Sequence, residues 1–424
     1  MIDSQDVSEE ELKVLKGDAV GNSLCSSSWI IKTLMSLSQI DEHGWTEELE
    51  DQLCTLWDLS MEGEVVSHLM LYDFPKIAKT VLMTSNEPRL TEIILGIIGN
   101  VCCNDEAIDT IGSDRELAKQ ILCYLVSSDS LILIQLIRIL QLVVWKIRQN
   151  PQSDWMAHFM ECQFFGHCIS FMLKSSTIDN LLIAVMNLLE SLSQTSLPSE
   201  NNLLEKLFKI NDLVPALLES FQQVIPVEKS SYSELTFVQH WLAVLIAIMK
   251  SGSLKFENCE NDERLSKLME IMYRILRPCR KIYNLYPIRQ SRANMICDAV
   301  RVLLGFRRCD VNVPPKIDCI IAIMMFSLKT ESNPPKEGER AQEKSREELD
   351  PEKLIPDLLD YLHKYWLQIT ELCTSEQIAE IFCLCDCKVR ESLMSLMCVP
   401  EFKVTPEVLD KVKKAAAAAA VEKC

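Results

Sequence analysis

The chain has 424 residues, of which only 11 are glycine, and its formal net charge is −18. Dinucleotide- and phosphate-binding loops need glycines where the backbone approaches the ligand, and neither a G-x-G-x-x-G nor a G-x-x-x-x-G-K-[ST] motif occurs. The negative charge disfavours DNA or an anionic membrane as a partner of the whole surface.

Two features of the first 150 residues concern the cellular compartment. Segment 1–25 is acidic and has no apolar signal core, so we predict a disordered N-terminus and a reducing compartment in which the 18 cysteines are free thiols. The most apolar run, 131–145, is shorter than a membrane span and is interrupted by Gln135, Arg138 and Gln141. We therefore predict a buried helix there and no membrane partner.

Internal repeats follow two predicted helices at about 27–40 and 46–60. Segments 81–86, 124–129 and 172–177 superimpose with offsets of 43 and 48 residues, and each is predicted to end a helix in a polar turn. After each turn, four apolar positions spaced by 4, 3 and 4 residues mark one helical face. These positions are Leu90, Ile94, Ile97 and Val101, then Leu133, Ile137, Leu140 and Val144, then Leu181, Val185, Leu188 and Leu192.

A helix pair that recurs every 43 to 48 residues is typical of armadillo and HEAT arrays. We therefore predict an all-α, armadillo/HEAT-like helical solenoid, a superhelix of stacked helix pairs, over residues 26–328. Its later part is interpreted as degenerate repeats, because helical patterns continue between prolines. These helices are predicted at about 203–224, 232–250, 263–277, 289–306 and 315–328.

The C-terminal quarter has three predicted parts. Segment 329–353 is charged and almost without apolar residues, so we predict a disordered loop, in which Ser332 and Ser345 are candidate phosphorylation sites. Residues 354–410 regain helical periodicity and are predicted to form capping helices. Residues 411–424 contain six consecutive alanines and are predicted to prolong or fray a helix as an Ala-rich tail.

Short motifs between residues 47 and 145 point to a family. They are LWDLSM at 56–61, PRL at 88–90 and LGIIGN at 95–100, and in them the chain resembles the serum-amyloid-A-like proteins, an armadillo-type eukaryotic family. The resemblance implies a helical array without catalysis, located in the nucleus with the cytoplasm as an additional site, and associated with cell proliferation. It implies no binding residues.

Acidic residues dominate segment 33–75, which contains no lysine or arginine. This pattern indicates either a contact surface for a basic partner, with Trp57 and Asp58 as candidate interaction residues, or a solvated helix face. The second interpretation is favoured because charge runs are common on helices. The helical spacing of Trp57 from Leu53 and Leu49 likewise favours a core position.

Asn100 is a third candidate interaction residue. Nuclear-import adaptors of the armadillo type hold extended basic peptides with a repeated Trp-x-x-x-Asn ladder. Here the repeat offsets place Val143 and Ser191 at the positions equivalent to Asn100, so the ladder is missing. We favour an Asn100 that satisfies backbone groups near a helix end.

The opposite charge asymmetry occurs at 274–309, where nine cations face Asp298 alone, a net charge of +8. Tyr283 and Tyr286 lie among them, and we predict a docking site for an acidic protein segment, with RNA as the less favoured ligand. Pairing with acidic helices of the same array is the equally weighted alternative. The candidate residues are Arg274, Arg277, Arg280, Lys281, Arg289 and Arg292, and the other cations are Arg301, Arg307 and Arg308.

Cysteines and histidines offer two weak metal-site candidates. Cys383, Cys385 and Cys387 are predicted on one helix, where Cys385 points away from the other two. His158, Cys162, His167 and Cys168 form the second candidate. Neither has the paired C-x-x-C spacing of zinc sites, so we interpret the cysteines as core residues and expect no metal or cofactor.

No catalytic motif is recognisable in the sequence, and only six histidines are present. We predict a non-catalytic scaffold or adaptor that binds other proteins and needs no obligate small molecule. A transport or chaperone-like adaptor that binds basic clients in an acidic groove, or an RNA-associated factor that uses 274–309, is the alternative. Gly96, Gly99 and Gly112 are further predicted to mark close helix packing.

Overall fold

The computed structural model describes residues 20, 25–197, 202–228, 234–252, 262–285, 288–331 and 351–421. These residues form helices and turns without a β-strand, apart from an isolated bridge between Ser196 and Asn202. The chain divides into two compact units, Met1–Lys209 and Ile210–Cys424, here unit 1 and unit 2. The division lies inside the predicted array 26–328, and each unit is described by itself.

Unit 1 is an armadillo-type stack of helices. It comprises α1 (Ser27–Ser38), α2 (Ile40–His43), α3 (Glu47–Leu59), α4 (Gly63–Leu71), α5 (Phe74–Thr84), α6 (Pro88–Val101), α7 (Asp105–Ser113), α8 (Arg115–Cys123), α9 (Ser130–Gln149), α10 (Asp154–Glu161), α11 (Phe165–Ser175), α12 (Asp179–Gln194) and α13 (Leu203–Leu207). Helices α3, α6, α9 and α12 form a row in which each packs against the next. Helices α1, α5 and α8 pack in the same way as a second row.

The predicted repeat face is confirmed in α6, α9 and α12. All twelve apolar positions that the repeats align are buried, from Leu90 in the first repeat to Leu192 in the third. Since each helix of the row packs against its neighbours, this burial comes from contacts between consecutive repeats.

The predicted polar turns between the repeats are confirmed, with one difference in register. The hydroxyl oxygens of Ser85, Ser127 and Ser176 each accept a hydrogen bond of 3.1 Å from the backbone N–H two residues ahead. The sequence alignment pairs Ser85 with Ser128, one residue beyond the serine that forms the turn. The second turn differs because a 3-10 turn, Tyr124–Val126, ends the preceding helix.

Two of the three glycines predicted at close helix contacts lie there. A Cβ atom at Gly96 would lie 2.1 Å from the indole Cε2 of Trp57, and one at Gly112 would lie 2.5 Å from the indole Nε1 of Trp155. The prediction is wrong for Gly99, where the nearest atom to a Cβ would be Ile139 Cγ1 at an ordinary 3.6 Å. Gly99 therefore leaves room for a methyl group.

Unit 2 also consists of stacked helices. It comprises α14 (Ile210–Val224), α15 (Leu235–Lys250), α16 (Glu263–Leu276), α17 (Ile282–Leu285), α18 (Gln290–Arg308), α19 (Pro315–Glu331), α20 (Pro351–Leu372), α21 (Ser375–Leu384), α22 (Cys387–Met397) and α23 (Pro406–Val421). Helices α15, α18 and α20 pack side by side in one row, and α16, α19, α21 and α23 pack in a second. The all-α, armadillo-type prediction is thus confirmed within each unit.

One predicted helix differs from the structure. The helix predicted at 203–224 is interrupted at Phe208, whose extended backbone ends α13 and whose ring packs edge-on against Phe165.

The Ala-rich segment prolongs a helix, as one of the two predicted outcomes has it. Helix α23 continues through residues 410 and 411 to Val421, and it packs on α21 with Val412, Ala415 and Ala419 buried.

Most of the two segments predicted to be disordered lies outside the described residues. Only Val20 and Cys25 of segment 1–25 are described. In segment 329–353, α19 continues to Glu331 and α20 begins at Pro351, so helices occupy both ends. Ser332 and Ser345 lie between them, outside the described residues.

The two glycines of α6 predict opposite effects of the same substitution. Gly96→Ala is expected to lower the free energy of unfolding by about 1–3 kcal/mol, because the methyl group overlaps the rigid Trp57 ring. Gly99→Ala is expected to raise it by up to about 1 kcal/mol, because alanine favours the helix and its methyl group would make only ordinary van der Waals contacts. Urea unfolding monitored by circular dichroism measures both, and shifts of the same sign would contradict the packing at Gly96.

Candidate interaction surfaces

Trp57 lies on α3 and packs against the next helix of its row. Its indole covers Gly96 on α6, and the side chain is half-buried. The structure therefore places Trp57 in a helix contact, but only partly in the core position that the helical spacing favoured. Asp58 beside it is exposed. That these two residues contact a partner stays a prediction.

Asn100 connects three helices of the same row. Its amide nitrogen donates to the backbone carbonyl of Trp57 at 2.9 Å and to the Ser60 hydroxyl at 2.8 Å, and its amide oxygen accepts from Arg138 of α9. The side chain is buried. The predicted role in satisfying backbone groups near a helix end is confirmed, and the polar atoms of Asn100 are occupied inside unit 1.

The acidic residues of segment 33–75, here the acidic surface, lie on α2, α3 and α4 and in the turns beside these helices. Among the described residues, Glu50 is the member that forms ion pairs, with Arg89 Nε at 2.9 Å. Hydrogen bonds from Arg89 to Glu50 and Glu92 raise the pKa of the Arg89 guanidinium. The other nine acids are exposed: Asp41, Glu42, Glu47, Glu48, Asp51, Asp58, Glu62, Glu64 and Asp73.

The structure separates the nine cations of segment 274–309 into three groups, one with internal partners, one exposed, and a pair, Arg301 and Arg308, that lines a cleft. Arg274 donates to the carbonyl of Ile225 and lies over the Phe221 ring, and Arg292 donates to the carbonyl of Asn284. Arg307 is buried and pairs with Asp318 of α19. For these arginines, the interpretation as internal partners is the one that the contacts support.

The remaining candidates form what we name the basic surface: Arg277, Arg280, Lys281 and Arg289. All four are exposed, and none forms a hydrogen bond through its side chain or an ion pair with another described residue. Tyr283 lies beside them with 67% of its surface exposed, and the Lys281 ammonium lies 5.6 Å from the centre of its ring. Tyr286 lies outside the described residues. The basic surface therefore combines uncompensated charge with one accessible aromatic ring.

The cysteine and histidine candidates have structural contacts. The predicted helix across 383–387 is wrong, because α21 ends at Leu384 and Asp386 caps the start of α22. Buried Cys385 lies 3.8 Å from Cys319, sulfur to sulfur. Buried His158 approaches the Gly112 carbonyl at 2.8 Å through Nε2. Over the described ranges, no group of three or more His, Cys, Asp or Glu residues could hold a metal ion.

Helix α9 contains the apolar run 131–145 and is long and apolar enough, by length and composition, to cross a membrane. It lies between α6 and α12, and the apolar positions on its repeat face are buried against them. This packing is that of a core helix, as the sequence predicted.

One group of cations was missed by the sequence. Lys250 and Lys364 line a cleft together with Arg301 and Arg308, and these residues come from α15, α18 and α20. More than 110 positions separate Lys250 from Lys364. No local pattern could have joined them, because only the packing of three helices brings them to one place.

The helix packing defines an all-α repeat protein with charged surfaces, and comparisons with known proteins give it relatives. No family model matches the chain. It is 30% identical over 242 residues to Protein SAAL1 of Homo sapiens, covering 50% of each chain. It is 27% identical over 271 residues to Protein saal1 of Danio rerio, covering 56% of each. The similarity expected from residues 47–145 therefore extends further, and the chain spans about half the length of the curated relatives it matches.

Designed armadillo repeat proteins are among the solved structures that align with the chain. One, designed for modular peptide recognition, aligns with a TM-score of 0.44 at 11% identity, covering 64% of this chain and 98% of that one. Another, in complex with the peptide (KR)4, aligns with a TM-score of 0.43 at 13% identity, covering 65% and 98%. The assignment of the class rests on the helix packing within the two units.

The contacts of Asn100 predict that its loss affects stability. Asn100→Ala is expected to lower the free energy of unfolding by about 1–3 kcal/mol, because the Trp57 carbonyl, the Ser60 hydroxyl and Arg138 lose a buried partner. Asn180→Ala, at an exposed position of α12, is the matched control and is expected to change it by less than about 0.5 kcal/mol. Urea unfolding is the measurement. Equal stability of the two variants would contradict the internal role.

Proposed function

We propose that the protein is a non-catalytic interaction scaffold that binds an acidic segment of another protein on the basic surface. The observation that carries the proposal is the set of four exposed cations without ion pairs, all within six positions of the exposed Tyr283 in the sequence, and one of them, Lys281, lies near its ring. Stacked helical repeats typically serve binding, because they present extended surfaces rather than one enclosed site. In a chain of net charge −18, a compact positive region stands out in the electrostatic field and steers an acidic partner towards itself.

An acidic protein segment fits the basic surface better than RNA. Proteins that bind single-stranded RNA combine a long positive groove with several aromatic rings on which successive bases stack. Here one described ring is exposed among four cations, while the rest of the chain is strongly negative. A short acidic segment meets the local positive charge and carries fewer charges into the surrounding negative field.

The acidic surface of unit 1 supports a second candidate function, the binding of basic clients. Its nine exposed carboxylates form no ion pair with the other described residues, and α3 presents Glu47, Glu48 and Asp51 near its start. A transport or chaperone-like adaptor would use this surface, and its complexes would weaken steeply with added salt.

Charge reversal tests the role of the basic surface. Arg277→Glu with Arg280→Glu and Lys281→Glu is expected to weaken partner binding at least about tenfold, because attraction becomes repulsion. Quantitative affinity purification from cells, followed by titration of the recovered partner, measures the effect. The matched control reverses three exposed lysines of unit 2, Lys388, Lys403 and Lys413, and should retain binding.

Other outcomes of that experiment contradict the proposal. A partner retained by the triple variant but lost after Glu47, Glu48 and Asp51 are changed to lysine would favour the acidic surface. A gel shift of RNA by the unchanged protein that the triple variant lacks would favour the RNA-associated alternative.

We further propose a nuclear location with a cytoplasmic fraction and a part in cell proliferation, on the basis of the resemblance to serum-amyloid-A-like proteins. A fluorescent fusion of the full chain is expected to concentrate in the nucleus, and depletion of the protein is expected to slow cell division. Microscopy and growth curves measure these effects. Exclusion of the fusion from the nucleus, or unchanged growth after depletion, would contradict the corresponding part.

A further inference from the structure

A cleft of about 630 Å³ lies across the row α15, α18 and α20 of unit 2. Its floor is apolar and includes Ile246 and Met249 from α15, Leu304 from α18 and Tyr361 from α20. It shares no residue with the basic surface. Three helices contribute residues to the cleft, and the charged side chains that line it are exposed, so the cleft is accessible from solvent.

Gly305 allows the apolar floor to form. A Cβ atom at this position of α18 would lie 2.4 Å from the terminal methyl carbon of Met249. With glycine there, the methionine lies across α18 and covers its backbone. The floor is thus a flexible thioether side chain, which can adapt to an apolar group placed on it.

Four cations surround this floor: Lys250, Arg301, Arg308 and Lys364. Two carboxylates offset part of their charge, Asp298 at 2.8 Å from Arg301 and Asp360 at 2.6 Å from Lys364. Burial raises the pKa of Asp298, and the positive charges of Arg301 and Lys250 oppose that shift.

The rim therefore keeps an excess of positive charge, and most of it remains accessible. The side chains of Arg301 and Lys364 are 50% and 62% exposed. Ion pairs this exposed contribute little and are easily exchanged for a stronger partner. Arg308 donates to the Gln368 amide oxygen at 3.1 Å, a neutral acceptor that a carboxylate can replace.

The wall of the cleft is held by a buried network. Tyr365, which lines the cleft, donates from its hydroxyl to Asp318, and Asp318 also pairs with buried Arg307, next to Arg308 in the sequence. Arg307 donates to Cys373 Sγ at 2.9 Å. These contacts join α18, α19 and α20, so the cations on α18 and α20 stand on helices fixed relative to each other. Binding to such a preorganised site loses little conformational entropy.

We propose that this cleft binds an acidic protein segment that places one large apolar side chain on the Met249 floor and its carboxylates against Arg301 and Arg308. Charge complementarity selects the acidic segment, since the rim is positive in a chain of net charge −18. The floor selects the apolar side chain, which a free phosphate or a purely acidic run would leave uncovered. The cleft is a second site, independent of the basic surface.

Fluorescence anisotropy of the full chain with labelled synthetic peptides tests the proposal. The probe is a dodecapeptide of Glu and Asp residues around one central Leu, compared with the same peptide carrying Gly at the centre and with one, the Gln peptide, carrying Gln for every Glu and Asn for every Asp. The central Leu is expected to tighten binding at least about fivefold over Gly, which corresponds to one apolar side chain buried. The Gln peptide is expected not to bind.

Variants locate the binding. Arg301→Glu with Arg308→Glu is expected to weaken binding of the Leu peptide at least about tenfold. Lys388→Glu with Lys403→Glu, at exposed positions of unit 2 outside both the cleft and the basic surface, is the matched control and should leave binding unchanged. If the first pair of substitutions impairs folding, judged by circular dichroism, the single variant Lys364→Glu at an exposed position replaces it and is expected to weaken binding at least about threefold.

Alkylation of cysteine gives an independent measurement. Cys309 is exposed and lines the cleft, whereas exposed Cys398 lies on α22's C-terminal end. Bound Leu peptide is expected to slow iodoacetamide labelling of Cys309 and not of Cys398, as followed by mass spectrometry. Two results would overturn the proposal that the peptide binds in the cleft. One is equal labelling of Cys309 with and without peptide, and the other is full binding by the Arg301 and Arg308 variant. Loss of binding in an Arg277→Glu with Lys281→Glu variant, with full binding by the Arg301 and Arg308 variant, would instead place the peptide on the basic surface.

Discussion

Each helix of this protein buries its apolar face against helices of adjacent repeats, and the rest of the structure depends on that constraint. In unit 1, α6 and α9 are covered on both sides by their row, and the repeat positions are buried there. The approach of the helices is fixed where a tryptophan ring rests on a glycine, as with Trp57 on Gly96 and Trp155 on Gly112. Stability is therefore a sum of contacts between neighbours, and a fault in one contact acts locally.

Buried polar contacts decide which charged groups remain for partners. Asn100 and Arg307 each satisfy several groups inside their own unit, and leaving such groups unpaired would cost stability. Arg274 is likewise held by a carbonyl and a ring. The four cations of the basic surface are exposed and form no ion pair with another described residue. The acidic surface lies at the start of unit 1, whereas the basic surface and the cleft lie on unit 2. The candidate sites for basic and for acidic partners are therefore on different units.

The sequence predicted the fold where its signals were local and repeated. The buried face of α6, α9 and α12 could be predicted from the spacing of apolar residues alone. Residues on one helical face recur with a period of 3.6, and this period is visible within a short stretch of sequence. Predictions failed where a tertiary contact competed with the local pattern. Phe208 interrupts a helical run to pack on Phe165, and the segment around Cys385 forms a turn because Asp386 caps a new helix. The same limit hid the cleft, whose cations lie on three helices.

The sequence by itself determined the helical class, the repeat length, the buried face and the sign of charge along the chain, since composition and periodicity record these properties directly. Only the tertiary structure decided which of the nine cations in 274–309 form contacts inside their unit and which form the exposed basic surface. It also decided that Gly96, and not Gly99, meets a neighbouring ring. The physical reason is that a contact depends on the rotation and separation of packed helices, and residues distant in sequence set both together.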